Sequence, residues 1–263
     1  MRQDRRAREF PGSGAVATAP PCSLRFTPAA RILWAMGEDQ FESLHQQLMA
    51  EIAAEAVLTA GHTGKAAFSG RVMRIVGAVP RHEFVPVELQ AYAYLNRPLP
   101  IGYDKTISQP FIVALMTDLL EPQEDDIVLE IGAGAGYQAA ILSELVKRVH
   151  TVDIIEELAQ GAERRLKRLG YENVVVRIAN GYYGWPEFAP YDKIMVTTAS
   201  ELIPPPLLSQ LKPGGRMIIP TGIPEKQSLT LVEKSLAGSL ATREILPVRF
   251  SEMEEPAGPA GVA

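Results

Sequence analysis

Apolar and polar positions divide the chain into stretches with different periods. From Asp39 to about Ala60, Phe41, Leu44, Leu48, Ile52 and Ala56 recur at helical spacing with polar residues between them, which predicts an amphipathic helix. Val72, Ile75 and Val76 form the apolar side of a second helix over 69–78, and 87–94 fits a short third one. The Pro-bounded "VPRHEFVP" (79–86) reads as a loop, and "RPLPIGYDKTISQP" (97–110) as a long irregular segment. Ordered loops of that length usually carry function.

After Pro110 the pattern switches. "FIVALMTDLL" is a helix that ends at "EPQEDD". Strands then alternate with helices: "DIVLEIG" (126–132), "RVHTVDI" (148–154), "NVVVRIAN" (173–180) and "YDKIMVTTA" (191–199) are strands, with "GYQAAILSELV" and "EELAQGAERRLKRLG" as helices between the first three. "PPPLLSQLKPGG" gives a short helix and a turn, and "RMIIPTG", "QSLTLVEKS" and "LATREILPV" three more strands. Such alternation predicts a doubly wound α/β fold, a mostly parallel seven-stranded sheet with helices on both faces. The last strands lack long helices between them, so the sheet should end in an antiparallel edge.

The division expected is a disordered leader (1–37), an N-terminal helical cap with an active-site loop (38–110), a cofactor-binding domain (111–253) and a flexible tail (254–263). The leader is interrupted by Pro and Gly and has no apolar period. Met36 opens the better-formed stretch and is a candidate biological start.

Composition narrows the function classes. The 263 residues carry a net charge of −5 and are 46% hydrophobic, ordinary values for a soluble globular protein. No concentrated basic face for nucleic acid or membrane is evident, and the cluster "RQDRRAR" sits in the leader. The single Cys22 excludes an intramolecular disulfide and a cysteine metal cage. Without an apolar run of about 18 residues or an unbroken signal sequence, the cytoplasm is the expected location, with no metal, membrane or nucleic-acid partner; a monomer is expected as well, although the sequence does not give the oligomeric state.

The strongest motif is "LEIGAGAGY" (129–137), where a strand runs into Gly132, Gly134 and Gly136 and then a helix. Glycines serve where a chain turns tightly and a ligand approaches the backbone. Ligands of open α/β sheets bind beyond the carboxyl ends of the strands. The spacing G-x-G-x-G departs from the dinucleotide fingerprint G-x-G-x-x-G. Glu130 beside the glycines suits a ligand with a cationic amino-acid end, which favours S-adenosylmethionine over a nicotinamide dinucleotide. Asp153, 21 positions after Gly132, is placed to accept from ribose hydroxyls; it also reads as the start of a capping box, "DIIE". Asn180 and Gly181, on the next loop of the same sheet edge, suit an adenine edge or an ordinary Asn-Gly turn. Tyr182, Tyr183 and Trp185 either wall that region or fill the core. Thr106 and Ser108 either cap the helix that starts near Pro110 or present hydroxyls to a reaction. His82 and His150 read as structural.

Taken together, "VPRHEFVP", "TISQP", "LEIGAGAGY", "APYDKIMVTTA" and "LKPGGRMIIPTG" resemble, in order and spacing, the protein-L-isoaspartate O-methyltransferases, over roughly residues 41–252. The glycine loop is shared by most methyltransferases of this fold; "VPRHEFVP" with "TISQP" is far more specific. The resemblance implies S-adenosylmethionine as cofactor, and isoaspartyl-containing proteins and peptides as partners. It implies methylation of the stray carboxylate, after which the ester collapses to a succinimide whose hydrolysis partly restores aspartate. It implies Ser108 as the active-site hydroxyl, flanked by the substrate contacts Thr106 and Ile107. Glu130, Gly132 and Gly134 would lie at the methionine end of the cofactor and Asp153 at its ribose. Val248 and Arg249, in "PVRF", would hold the substrate backbone. The family's usual G-D-G after the third strand reads Ala179-Asn180-Gly181 here, and the ending after "PVRFSEM" is less apolar than is typical.

Methyl transfer from a sulfonium to a carboxylate needs no general base, because the carboxylate ionises near pH 4. A hydroxyl that orients it is enough, whereas a nucleophilic serine would need an adjacent base. Two alternatives remain at this level: a related enzyme acting on another peptide aspartate, and a cofactor-binding protein without activity. A nicotinamide dehydrogenase is a more distant third.

Overall fold

The computed structural model describes residues 38–253. The leader, the start at Met36 and the tail at 254–263 lie outside the described residues. The chain opens with two helices, α1 (Glu38–Thr63) and α2 (Gly70–Ala78). Helix α1 seats itself through Leu48, Ile52 and Ala56, which are buried at the helical spacing expected. Helix α2 is capped by Ser69, whose side chain accepts from Val72 N. The loop 79–86 contains a short 3-10 turn, Arg81–Phe84, and a second 3-10 helix follows at Val87–Tyr92 in place of an α-helix.

The segment expected to be irregular is not. It forms a two-stranded antiparallel hairpin, β1 (Leu99–Gly102) and β2 (Lys105–Ile107), closed by Tyr103 and Asp104 at φ 53° and 54°. Two successive positive φ values are what a tight two-residue hairpin turn demands. The turn uses Tyr-Asp where Asn-Gly is usual, and so escapes detection by composition.

Helix α3 (Pro110–Leu120) leads into β3 (Ile127–Ile131), α4 (Tyr137–Ser143), β4 (Arg148–Asp153), α5 (Glu156–Arg168) and β5 (Val174–Ile178). The chain then returns to β6 (Tyr191–Val196), α6 (Pro205–Gln210), β7 (Leu211–Ile223), β8 (Lys226–Lys234) and β9 (Leu240–Val248). The seven-stranded sheet has the order β5-β4-β3-β6-β7-β8-β9. It is parallel from β5 to β7, and β8 and β9 add the antiparallel edge. Strand order reverses between β3 and β6, the point at which an open parallel sheet leaves a crevice.

Successive side chains of a strand face opposite ways, and β3 serves two cores. Val128 belongs to the cluster under α1–α5, while Leu129 and Ile131 belong to the one under α6. Residues of α1 and α2 share the first cluster with sheet residues Met195, Ile218 and Leu229, so the helical cap and the seven-stranded sheet are packed as one body.

Candidate active site

A crevice of about 900 Å³, counting the solvent at its mouth, opens beyond the carboxyl ends of β3, β4 and β6. Its floor is the glycine loop. Gly132, Gly134 and Gly136 all have positive φ (92°, 52° and 90°), which L side chains avoid. A Cβ on Gly132 would stand 2.5 Å from Thr197 Oγ1. Thr197 fixes that turn from β6 by donating its hydroxyl to the carbonyls of Ile131 and Gly132, at 2.9 and 2.7 Å. Gly134 lies under Ile101 of the hairpin. Gly136 faces away from the crevice: it is the N-cap of α4 and lets Leu166 and Ala162 of α5 approach closely. Of the three glycines expected at the cofactor, it is the one that does not line the crevice.

Asp153, at the end of β4, is buried but lines the crevice. Oδ2 accepts from Gly134 N at 2.8 Å and Oδ1 from Ile155 N at 2.9 Å. The capping-box reading fails. The N-cap of α5 is Ile155, with no side-chain cap, and Asp153 ties the strand end to the glycine loop instead. Burial raises its pKa; the backbone N–H groups of Gly134, Ile155 and Ile154 and the positive charge of Lys105 oppose the rise. Each oxygen retains lone pairs for a ligand's hydroxyls.

Asn180 and Gly181 form the next wall. Asn180 Oδ1 accepts from Tyr182 N at 2.9 Å, capping a short 3-10 turn and leaving its NH₂ for a ligand. Gly181 packs directly on the Ile131 side chain, where a Cβ would clash. None of the three aromatics after it lines the crevice: Trp185 is buried in the second core, against His150. His150 stacks on Phe188 at 4.4 Å, and burial lowers its pKa to about 4, so it is a neutral core residue. His82 pairs with the Tyr94 hydroxyl at 2.7 Å.

The hairpin and the chain after it supply the opposite rim: Lys105, Thr106, Ile107 and Ser108. Neither hydroxyl caps α3. The N-cap is Gln109, and Pro110 occupies the first helical turn, where its missing N–H costs nothing. Ser108 is partly buried and its hydroxyl bonds no described residue.

Besides Gly136, three expected residues lie off the crevice wall. Glu130 is fully buried beneath the glycine loop, not on the crevice wall, because the strand alternation turns it into the α1–α5 side of the sheet. Its oxygens and the Thr151 hydroxyl beside it on β4 lack partners in hydrogen-bond geometry. Burial pushes its pKa to about 8; the charge of Asp153 adds to the rise, and the nearby Thr151 hydroxyl opposes it. Val248 packs against the core at the end of β9 and Arg249 is exposed, neither lining the crevice. Two residues further on, Ser251, Glu252 and Met253 do line it, held beside β6 by Ala199 N→Ser251 O (2.8 Å) and Met253 N→Ala199 O (2.6 Å).

Sequence reasoning missed Thr197 and Thr198, which follow β6. Thr198 Oγ1 is buried, lines the same crevice and lacks a partner. The available signal was their position: they stand at the carboxyl end of the strand beside the switch point.

The residues present fit S-adenosylmethionine. A glycine cradle clears space for a backbone approach, an anchored carboxylate stands at the end of β4, and an unused amide stands at the end of β5. Among the described residues no helix is long and apolar enough to cross a membrane.

Comparison with known proteins agrees. The model of the protein-L-isoaspartate(D-aspartate) O-methyltransferase family matches residues 53–255. The chain is 56% identical over 220 residues to protein-L-isoaspartate O-methyltransferase 1 of Polaromonas sp., covering 84% of this chain and 93% of that one. It is 57% identical over 214 residues to protein-L-isoaspartate O-methyltransferase 2 of Syntrophobacter fumaroxidans, covering 81% and 87%. A solved protein-L-isoaspartate O-methyltransferase superposes with a TM-score of 0.69 at 30% identity, over 80% of this chain and 66% of that one. A Plasmodium falciparum structure with S-adenosyl-L-homocysteine shares the fold at a TM-score of 0.67 and 18% identity, over 80% of this chain and 98% of that one. The glycine cradle, its anchored aspartate and the serine on the facing rim thus sit in a chain that belongs to the protein-L-isoaspartate O-methyltransferase family.

Proposed function

We propose that this chain methylates the free carboxylate of L-isoaspartyl residues in damaged proteins, with Ser108 orienting that carboxylate. The observation that carries this reading is the Ser108 hydroxyl, without a partner among the described residues, on the rim facing the glycine cradle. S-adenosylmethionine supplies the methyl group on a sulfonium. The chain's own residues bind, orient and desolvate. Asp153 and Asn180 hold the nucleoside end, and Gly132 and Gly134 let the ligand lie against the backbone. Ser108 donates to one carboxylate oxygen and leaves the other to attack; Thr106 and Ile107 flank the substrate. Thr198 offers a second hydroxyl in the same crevice. No proton is removed, so no base is required, and catalysis rests on alignment and on exclusion of water around two opposite charges. The enzyme works as a monomer in the cytoplasm, on protein and peptide substrates and on neither nucleic acid nor membrane.

The test is purified protein with an isoaspartyl peptide and methyl-labelled cofactor. Base-labile methyl esters are expected, with turnover lost in Ser108→Ala while S-adenosylhomocysteine still binds. Binding without transfer to isoaspartyl peptide, but with transfer to a normal aspartyl peptide, would reassign the substrate.

A further inference from the structure

The segment that carries Ser108 is tied to the N-terminal helix. Gln109, the N-cap of α3, makes no side-chain bond to the amides of its own helix. Its Nε2 reaches instead to the Glu55 carboxylate on α1, 3.3 Å from Oε1 and 3.2 Å from Oε2. Oε2 of Glu55 also accepts from Asn96 Nδ2 at 2.7 Å. Asn96 closes the circuit, its Oδ1 accepting from the backbone N–H of Phe111 at 3.0 Å. That amide is one of those a helix start leaves without an internal partner. One carboxylate therefore fixes both the residue after Ser108 and the first turn of the helix behind it.

Glu55 is not needed to seat α1. Ile52 and Ala56, both fully buried, and Leu48 do that by apolar packing. Both partners of its carboxylate, Asn96 and Gln109, lie far along the chain, 41 and 54 positions away. Hydrogen bonds to an ionised acceptor are the stronger kind.

We propose that Glu55 is a positioning residue for methyl transfer: through Gln109 and Asn96 it holds the Ser108 hydroxyl in line with the glycine cradle. The N-terminal helix is then part of the catalytic apparatus as well as a cover for the sheet. The inference rests on Ser108 orienting the carboxylate. A displacement of about 1 Å in such a group costs up to about 100-fold in rate.

The experiment compares the wild type with Glu55→Ala, Glu55→Gln, Gln109→Ala and the double variant Glu55→Ala/Gln109→Ala. For Glu55→Ala, kcat on an isoaspartyl peptide should fall about tenfold or more, while calorimetric affinity for S-adenosylhomocysteine stays within about twofold. Glu55→Gln keeps one acceptor oxygen and should recover part of the rate. The double variant should be no slower than Glu55→Ala, because both changes cut one circuit. Amide hydrogen exchange over 105–112 should accelerate in Glu55→Ala and stay unchanged over β4. A folded Glu55→Ala with wild-type kcat, or with cofactor affinity falling in step with kcat, overturns the proposal. If the wild type transfers no methyl group, the role of Ser108 falls. The anchoring is then judged by exchange alone, and unchanged exchange over 105–112 overturns it. Should Glu55→Ala fail to fold, Glu55→Gln and Gln109→Ala carry the same comparison.

Discussion

The backbone N–H of Gly134 donates to Oδ2 of Asp153 at 2.8 Å, joining the glycine loop after β3 to the acidic end of β4. The bond makes Asp153 a structural clamp as well as the carboxylate proposed for the cofactor's ribose. Asp153→Ala should weaken S-adenosylhomocysteine binding by about tenfold or more, since bonds to charged groups contribute roughly 1.5–3 kcal/mol each. Asp153→Asn keeps an acceptor for one N–H and should lose less. Because burial raises the Asp153 pKa, affinity should decline as the pH falls through that raised value. Calorimetry of both variants and of the wild type across pH checks this.

Glu130 should make the free protein less stable as the medium becomes more alkaline. Its carboxyl titrates near 4.5 when exposed and about 8 in the fold. The folded chain holds that proton more tightly than the unfolded one. No penalty exists below pH 4.5; stability is lost as the pH rises from 4.5 to about 8, and no further loss follows above. Glu130→Gln removes the ionisation, so its thermal midpoint should exceed that of the wild type at pH 8, by up to several kcal/mol in stability. Near pH 4 the two should coincide. Melting curves of the cofactor-free proteins decide it, and equal midpoints at pH 8 would contradict the buried, partnerless carboxyl.

Thr198→Val separates stability from function. The substitution keeps the shape and removes a buried hydroxyl that has no partner. Stability should hold or rise, by up to about 1 kcal/mol, because an unsatisfied buried group carries its desolvation cost. Turnover should fall if the hydroxyl finds its partner in the bound substrate. Denaturant unfolding and steady-state kinetics on one preparation read both effects.

Gly132→Ala should fail for two reasons at once. Its φ is 92°, and the new Cβ would lie 2.5 Å from Thr197 Oγ1, whose hydroxyl holds the loop. A loss of at least 2 kcal/mol, roughly, is expected from strain of this kind, together with loss of cofactor binding. Gly161→Ala, on α5 with open space around its Cβ, is the control and should be neutral or stabilising.

Much of the site was legible along the chain. Gly132 and Gly134 cradle the crevice, and Asp153, Asn180, Gly181, Thr106, Ile107 and Ser108 line it, because the period-2 strands place their carboxyl ends on one edge and the loops there carry the unusual residues. The reading of Glu130 went astray through the same alternation: one step before the glycines is a whole face away from the crevice. Val248 and Arg249 missed by two or three residues, since the end of β9 and the turn after it bring Ser251, Glu252 and Met253 to the wall.

The sequence by itself determined the order of strands and helices, the antiparallel edge and the glycine turn, because these follow from hydrophobic period and from which residues tolerate positive φ. The hairpin of β1 and β2 had no such local mark, its turn being Tyr103-Asp104. What only the tertiary structure decided are relations between residues far apart in the chain. Glu55 meets Gln109, Thr197 closes on Gly132, and the Thr198 hydroxyl is stranded in the crevice. Side-chain hydrogen bonds depend on directions fixed when separate elements pack, and no period along the chain encodes those directions.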